Sequence, residues 1–252
     1  MSGIKVYIVS VFLILTVPRI SSQPVAPSQI AGREYLTGVY LEKTGPERAF
    51  IDGRNYYPYH INARNSPLLR NDEPRSARLT INGRSYDNLD LSYDTYTDDL
   101  IYTDDSLIYD NRVRQVALNK HKISRFDLFF RDDTLCFRYL NREADSAFNL
   151  AEGYFEVALE GKVTYLIRHR SIATRVAPAF SAGSIWDYVY KPEHYIRTGN
   201  DFVRITSRRQ FTGLFGEHSH DMNRYLQSRR IKVSRADKEQ IIDVLRYFGE
   251  KK

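Results

Sequence analysis

Glu217-His218-Ser219-His220-Asp221 is the densest group of potential metal ligands in the chain, with His218, His220 and Asp221 as its candidates. A His-X-His pair on a strand points both imidazoles to one face, but zinc needs further protein ligands beyond such a pair. The flanking residues carry a helical pattern, in which positions i and i+2 diverge. The other histidines, His60, His121, His169 and His194, are scattered. The expectation is therefore a solvated inter-helix loop, with Asp221 capping the next helix and metal binding as the alternative.

Asp94, Asp98, Asp99, Asp104, Asp105 and Asp110 place six carboxylates within 17 residues. Clustered carboxylates suit a hard cation such as calcium, and a carboxylate pair suits glycoside hydrolysis. There is no EF-hand spacing, and no apolar setting singles out one carboxyl as an acid. Paired aspartates also serve turns. Turn punctuation is the reading, with a calcium site and a carboxylate-dependent hydrolase of an envelope polymer as alternatives. Nucleophilic motifs are missing after the expected signal peptide: residues 23–252 hold no Gly-X-Ser-X-Gly, Ser-X-X-Lys, His-Glu-X-X-His or phosphate-cradling glycine loop. The single cysteine, Cys136, sits in the strand-like Thr134–Tyr139 alternation and reads as a small buried hydrophobe. No catalytic residue and no cofactor are expected.

Charge is uneven along the chain. Between Tyr165 and Lys238 there are 14 basic and 6 acidic residues, whereas Gln23 to Leu128 carries 14 and 15. Arg208, Arg209, Arg229, Arg230, Lys232 and Arg235 form the candidate binding surface, suited to an anionic lipid or glycan. Nucleic acid is not an expected partner, because the chain carries an export signal. Lys5 precedes the apolar run Val6–Val17, twelve residues long, and Ser21-Ser22 offers a cleavage site. That run is short of the about 20 residues a membrane span needs. One cysteine allows no internal disulfide, which fits a bacterial envelope better than a disulfide-rich secreted domain.

The elements that must position these residues are mostly strands. Asn82-Gly83 between alternating runs predicts a type I′ hairpin that opens a β-meander through Tyr109. Tyr56–Ile61 reads as an edge strand, and Arg170–Ser184 as an irregular loop. Val113–Leu118, Ile123–Phe130, Leu135–Leu140, Gly153–Leu159 and Lys162–Arg168 read as further strands, the last two joined at Glu160-Gly161. From Ser207 the period becomes helical, with Ser207 and Gln210 as a capping box and Ile241, Val244, Leu245 and Phe248 on one face. The expected fold is mainly β, an antiparallel meander forming a sandwich or incomplete barrel with a C-terminal α-helical tail. Residues 1–22 are expected as signal peptide, 23–33 as flexible leader, 34–206 as the β domain and 207–252 as the helical tail packed on it.

Ser66-Pro67-Leu68-Leu69, Asn82-Gly83-Arg84-Ser85-Tyr86 and the run Leu91–Leu100 resemble a pattern in exported proteins of Gram-negative bacteria that have no established activity. The resemblance covers about half the chain and implies a periplasmic or envelope location, with no functional residues to carry over. The leading expectation is a non-enzymatic envelope binding or accessory module, with an envelope lipid, glycan or protein as partner and peripheral membrane contact. A structural subunit of an envelope complex is a further alternative.

Overall fold

Asn82 and Gly83 both take left-handed backbone, with φ of 49° and 76°, as the type I′ turn requires. They join β2 (Ser76–Ile81) to β3 (Arg84–Leu89) with Ile81 opposite Arg84. The computed structural model describes residues 50–60, 62–71, 76–109, 112–141, 150–177, 184–198, 201–233 and 237–249. All of them belong to the unit Glu47–Lys252. The expected signal peptide, the leader and the first residues of the expected β domain, 34–49, lie outside the described residues.

The other strands are β1 (Gly53–Asn55), β4 (Leu91–Asp94), β5 (Asp99–Tyr109), β6 (Arg112–Leu118), β7 (Ile123–Phe129), β8 (Thr134–Leu140), β9 (Gly153–Leu159), β10 (Thr164–Arg168), β11 (Ser171–Val176), β12 (Ile185–Tyr190), β13 (Glu193–Thr198) and β14 (Asp201–Arg204). An eight-stranded sheet runs β14-β13-β10-β9-β8-β7-β2-β3, a four-stranded sheet runs β1-β6-β5-β4, and β11-β12 forms a separate ribbon. All the pairings are antiparallel. The protein is mainly β, neither sheet closes into a barrel, and short helices follow the strands.

The expected continuous meander is corrected at Asp90, where the chain leaves the long sheet and enters the short one. β3 and β4 lie in different sheets, and β2 pairs with β7 as well as β3. Asp104-Asp105 does not punctuate either: β5 runs through it, with its register shift against β6 between Asp104 and Ile108. Tyr56–His60 is not a strand, since β1 ends at Asn55. Three strands have no expected counterpart: β1, β13, and β11 inside the expected loop Arg170–Ser184.

Cross-strand rows explain the layering. On one face of the long sheet Phe126 lies opposite Phe137, Phe137 opposite Glu156, Glu156 opposite Ile167, and Ile167 opposite His194. The first half of this face packs on the short sheet. Phe126 and Phe137 stack at 4.5 Å, and Tyr93 of β4 meets Phe137 at 5.2 Å between ring centres. Leu79, Leu91, Leu100 and Tyr154 complete that layer, all fully buried. The second half packs on helices α1 (Arg208–Gly213), α2 (Ser219–Ser228) and α3 (Lys238–Gly249). Phe211, Met222, Leu226 and the α3 residues Ile241, Val244, Leu245 and Phe248 bury themselves against Tyr165, Ile167 and Ile196. The opposite face of the sheet has its own small core of Phe155, Leu166, Tyr195 and Phe202.

Asp98, at φ 60° in the β4–β5 turn, ties the two sheets together. Its carboxylate accepts from the Tyr93 hydroxyl at 2.8 Å and the Tyr154 amide at 3.4 Å, with Lys120 at 3.5 Å. Burial raises its pKa against the lowering effect of Lys120 and Tyr93. The carboxylate reaches β9 at Gly153, where an added Cβ would sit 2.6 Å from Asp98 Oδ2. Glycine is required there by close approach.

A Cβ at Gly83 would meet no heavy atom within 4 Å. Gly83→Val therefore isolates backbone strain and is expected to lower unfolding stability by about 1–3 kcal/mol with an unchanged urea m-value. An unchanged midpoint would show that the turn does not hold the β2–β3 register.

Candidate functional site

Along the row Phe126–Phe137–Glu156–Ile167–His194, one residue carries a charge, and it stands where the short sheet stops covering the face and the helices begin. A cavity of about 500 Å³ opens at this seam. The long sheet contributes Glu156, Ile167 and His194, the segment beside β4 contributes Pro67, Leu69 and Thr95, and the start of α3 contributes Asp237 and Lys238. The ribbon closes the remaining side with Ser171 and Tyr190, which pair directly across it. Volume and mixed apolar and polar lining are those of a small-molecule site.

The ribbon is fixed over the cavity by its base. Ser171 donates its amide to Thr95 O at 3.0 Å, the Ser171 and Thr95 hydroxyls lie 2.7 Å apart, and the Lys191 amide donates to Arg170 O at 2.7 Å. His169, at the exit of β10, is thereby held between the sheet and the ribbon. Its Nε2 lies 2.7 Å from Glu156 Oε2, and its Nδ1 lies 2.5 Å from the Tyr190 hydroxyl. The Glu156 and His169 side chains are only 3% and 7% exposed.

From the other side Lys238 donates to Glu156 Oε1 at 3.1 Å and to Asp133 Oδ2 at 3.1 Å, and Arg70 donates to Asp133 at 2.9 Å. Burial pushes the Glu156 pKa upward, but the His169 hydrogen bond and the Lys238 charge outweigh it, so the carboxyl lies below its usual range. Lys238 shows the mirror image, with burial opposing its charge and Glu156 and Asp133 raising its pKa. An ionised carboxylate only accepts, so Nε2 carries a proton, and when the ring holds only that proton Nδ1 keeps a lone pair. Nδ1 then accepts from the Tyr190 hydroxyl. The result is a directed chain, Tyr190 to His169 to Glu156, backed by a lysine. His194 lies alongside with its Nδ1 2.7 Å from the Tyr165 hydroxyl, and burial and then His169 lower its pKa.

A wall of rings leads away from the cavity. Tyr190, Tyr188 and Trp186 alternate along β12 and so share a face. His60 stacks on Trp186 at 3.9 Å, Tyr96 meets Tyr188 at 5.2 Å, and Tyr59 meets Tyr96 at 5.5 Å. Tyr59 is 68% exposed. Arg175 covers Trp186 from the ribbon at 4.9 Å.

The residues singled out by sequence lie elsewhere. His218 ends a short 3-10 turn at Gly216–His218, and His220 and Asp221 fall in the first turn of α2. Asp221 is not a cap: His218 occupies the N-cap position, and an acidic residue in the first turn instead suits the helix dipole. Arg224 donates to His220 Nε2 at 3.2 Å, occupying the lone pair a metal would need. Among the described residues no three His, Cys, Asp or Glu side chains converge on a metal position.

The basic candidates divide. Arg208 clamps α1 to α2 through Asn223 at 2.9 and 2.6 Å. Arg209 is exposed on α1, while Arg229, Arg230 and Lys232 are exposed together in the turn after α2. Arg235 lies outside the described residues. Of the acidic run, Asp94 is buried and accepts from the Tyr56 hydroxyl and the Tyr96 and Thr97 amides, and Asp99 pairs with Arg54. The side chains of Asp104, Asp105 and Asp110 are outside the described set. Cys136 is half-buried, with Arg125 at 3.7 Å and a pKa raised by burial.

Sequence reasoning missed Glu156, His169, Tyr190 and Lys238. One signal was present: a glutamate inside the apolar strand Gly153–Leu159, on the same parity as the buried Tyr154. Its partners lie 13 and 82 residues away, and no short motif reports such separations.

The seam should leave a pH signature. Glu156 and Asp133 have lowered pKa values in the folded state. Their contribution is complete above the unfolded values of about 4 and is lost as pH falls through the folded ones. Lys238 has a raised pKa, so its contribution is complete below the unfolded value of about 10.4 and fails only above it. Unfolding stability is expected to hold a plateau through neutral pH and fall on acidification below about pH 4.5. Glu156→Gln is expected to lower the plateau by about 3 kcal/mol and flatten the acid limb. A denaturant series across pH checks this, and an acid limb identical in the variant would refute it. No protein-family model, curated protein or solved structure matches the chain.

Proposed function

We propose that the protein is an exported envelope protein that binds the end of a neutral glycan chain, with one unit in the seam cavity and the next over Tyr96 and Tyr59. The observation that carries this reading is that the cavity and the ring wall draw on the same two segments, β12 and the turn after β4. Tyr96 follows the lining residue Thr95, and Tyr188 shares its strand face with the lining residue Tyr190. Aromatic rings offer flat apolar faces with polar tips, which match the C–H faces and hydroxyls of a sugar.

Cavity chemistry favours a neutral ligand. Lys238 and Arg70 are each engaged by carboxylates, and Asp237 and Glu239 add negative charge at the rim. Ser171, Thr95, Tyr190 and His194 offer hydroxyl and imidazole partners beside apolar Leu69, Leu135 and Ile167. The export signal and the resemblance to exported Gram-negative proteins support an envelope setting.

Calorimetric titration with chitohexaose tests the reading. Tyr59→Ala and Tyr96→Ala should each weaken binding by about tenfold, the effect of one lost ring stack. No binding by the wild type, or undiminished binding in both variants, would overturn it.

A second reading rests on Arg229, Arg230 and Lys232, exposed together in one turn. A basic turn of this kind supports peripheral docking on an anionic leaflet, weakening as salt shortens the Debye length. Co-sedimentation with phosphatidylglycerol vesicles should fall on Arg229→Glu with Arg230→Glu, and should be lower on phosphatidylcholine. Equal binding to both vesicle types would remove the idea.

A further inference from the structure

Tyr190, His169 and Glu156 stand in the order hydroxyl, imidazole, carboxylate, and all three residues line the cavity. That order is what acyl transfer uses: a nucleophile, the base that takes its proton, and a carboxylate that fixes the base's tautomer and stabilises its charged form. We propose that the seam cavity is an acyl-transfer site, with Tyr190 as nucleophile and His169 as its base, hydrolysing an ester carried on a hydroxyl of the bound glycan. The identity of the alcohol rests on the glycan-binding reading; the acyl chemistry rests on the three side chains alone.

Three features of the cavity support it. The Tyr190 Oη–His169 Nδ1 distance of 2.5 Å leaves no room for an intervening water, so the proton passes directly between them. Burial and the nearby Glu156 charge hold the Tyr190 hydroxyl above the ordinary tyrosine range, which makes it dependent on that base in the way a serine hydroxyl is. The Tyr190 residue is 48% exposed and lines the cavity, whereas His169 and Glu156 are sealed behind it.

The steps balance without a further reagent other than water. Tyr190 Oη bonds to the ester carbonyl carbon as its proton moves to His169 Nδ1. The carbonyl–alkoxy bond then breaks, and the Nδ1 proton goes to the departing sugar oxygen. The products of this half are a free sugar hydroxyl and an acyl-tyrosine. Water adds to the acyl carbon, giving its proton to Nδ1, and the tyrosine oxygen leaves and recovers that proton. A carboxylic acid is released and the site is restored. A phenoxide leaves more readily than a sugar alkoxide, so the second half is the faster for natural esters. Glu156 touches no reacting atom in this scheme and is a positioning residue.

An activated aryl ester makes the intermediate accumulate. The full chain is mixed with p-nitrophenyl acetate, quenched in acid and mapped by peptide mass spectrometry, with nitrophenol release followed in parallel. The expected result is acetylation on the Tyr190 peptide and a nitrophenol burst, with turnover reduced at least about 100-fold in Tyr190→Phe and His169→Ala. Glu156→Gln should lower kcat with KM unchanged, and Glu156→Asp should recover part of it. Thermal melting confirms that each variant is folded, and Tyr190→Phe removes one oxygen atom from a half-exposed ring. Absence of acetyl from Tyr190 in the wild type, or full turnover in folded Tyr190→Phe, overturns the proposal. Chitohexaose binding measured on the same wild-type sample separates the two ideas: binding without acetylation leaves the glycan reading and removes this one. Acetylation without binding keeps the acyl chemistry and removes the glycan as its alcohol.

Discussion

A carboxylate kept ionised where water does not reach it is the constraint on which the inner face of the long sheet depends. Glu156 has apolar neighbours along its row, Phe137 on one side and Ile167 on the other. An isolated charge there would cost several kcal/mol and would neutralise itself. Three parts of the chain prevent that: His169 from the strand exit, Lys238 from the first residue of α3, and Asp133 behind the lysine. The two apolar layers on either side, one under the short sheet and one under the helices, are thus joined through a polar knot. The cavity beside that knot follows from the same geometry, since two covers of different shape meet there over a flat sheet.

Much of the frame was legible from local pattern. The Asn82-Gly83 hairpin, the pairing of β9 with β10 and the apolar stripe of α3 follow from signals confined to a few consecutive residues, although Leu159 lies opposite Tyr165 and the β9–β10 loop is longer than a two-residue turn at Glu160-Gly161. What was not legible is what depends on partners far away in the chain. The sheet switch at Asp90 happens within one residue of an unbroken alternation, because β3 and β4 obey the same period in different sheets. Asp104-Asp105 looked like turn punctuation, yet an irregular register absorbs the pair inside a strand. β11 carries Ala173, Thr174 and Arg175, which read as loop until β12 is known to pair with them.

The candidate site shows the same division more sharply. Histidine-rich and aspartate-rich runs drew the eye because proximity in sequence was the only proximity visible. His220 is engaged by Arg224 on its own helix, and Asp94 is spent on capping its own turn. The buried chain, by contrast, brings together residues from β9, the end of β10, the end of β12 and the start of α3. Only the outlier status of one glutamate among apolar neighbours was readable beforehand, and nothing local names its partners.

The placement of Lys238 has a consequence for timing. The lysine follows its partner Glu156 by 82 residues and belongs to the last described element. A chain made from its N-terminus completes β7 to β10 well before the ammonium exists that lets Glu156 sit in its apolar row. Until then the ordered sheet would trap an unmatched charge, so the nascent strands gain little by docking early. Loop closure over so long a separation is slow. The knot therefore acts as a latch that engages last, once α3 is made.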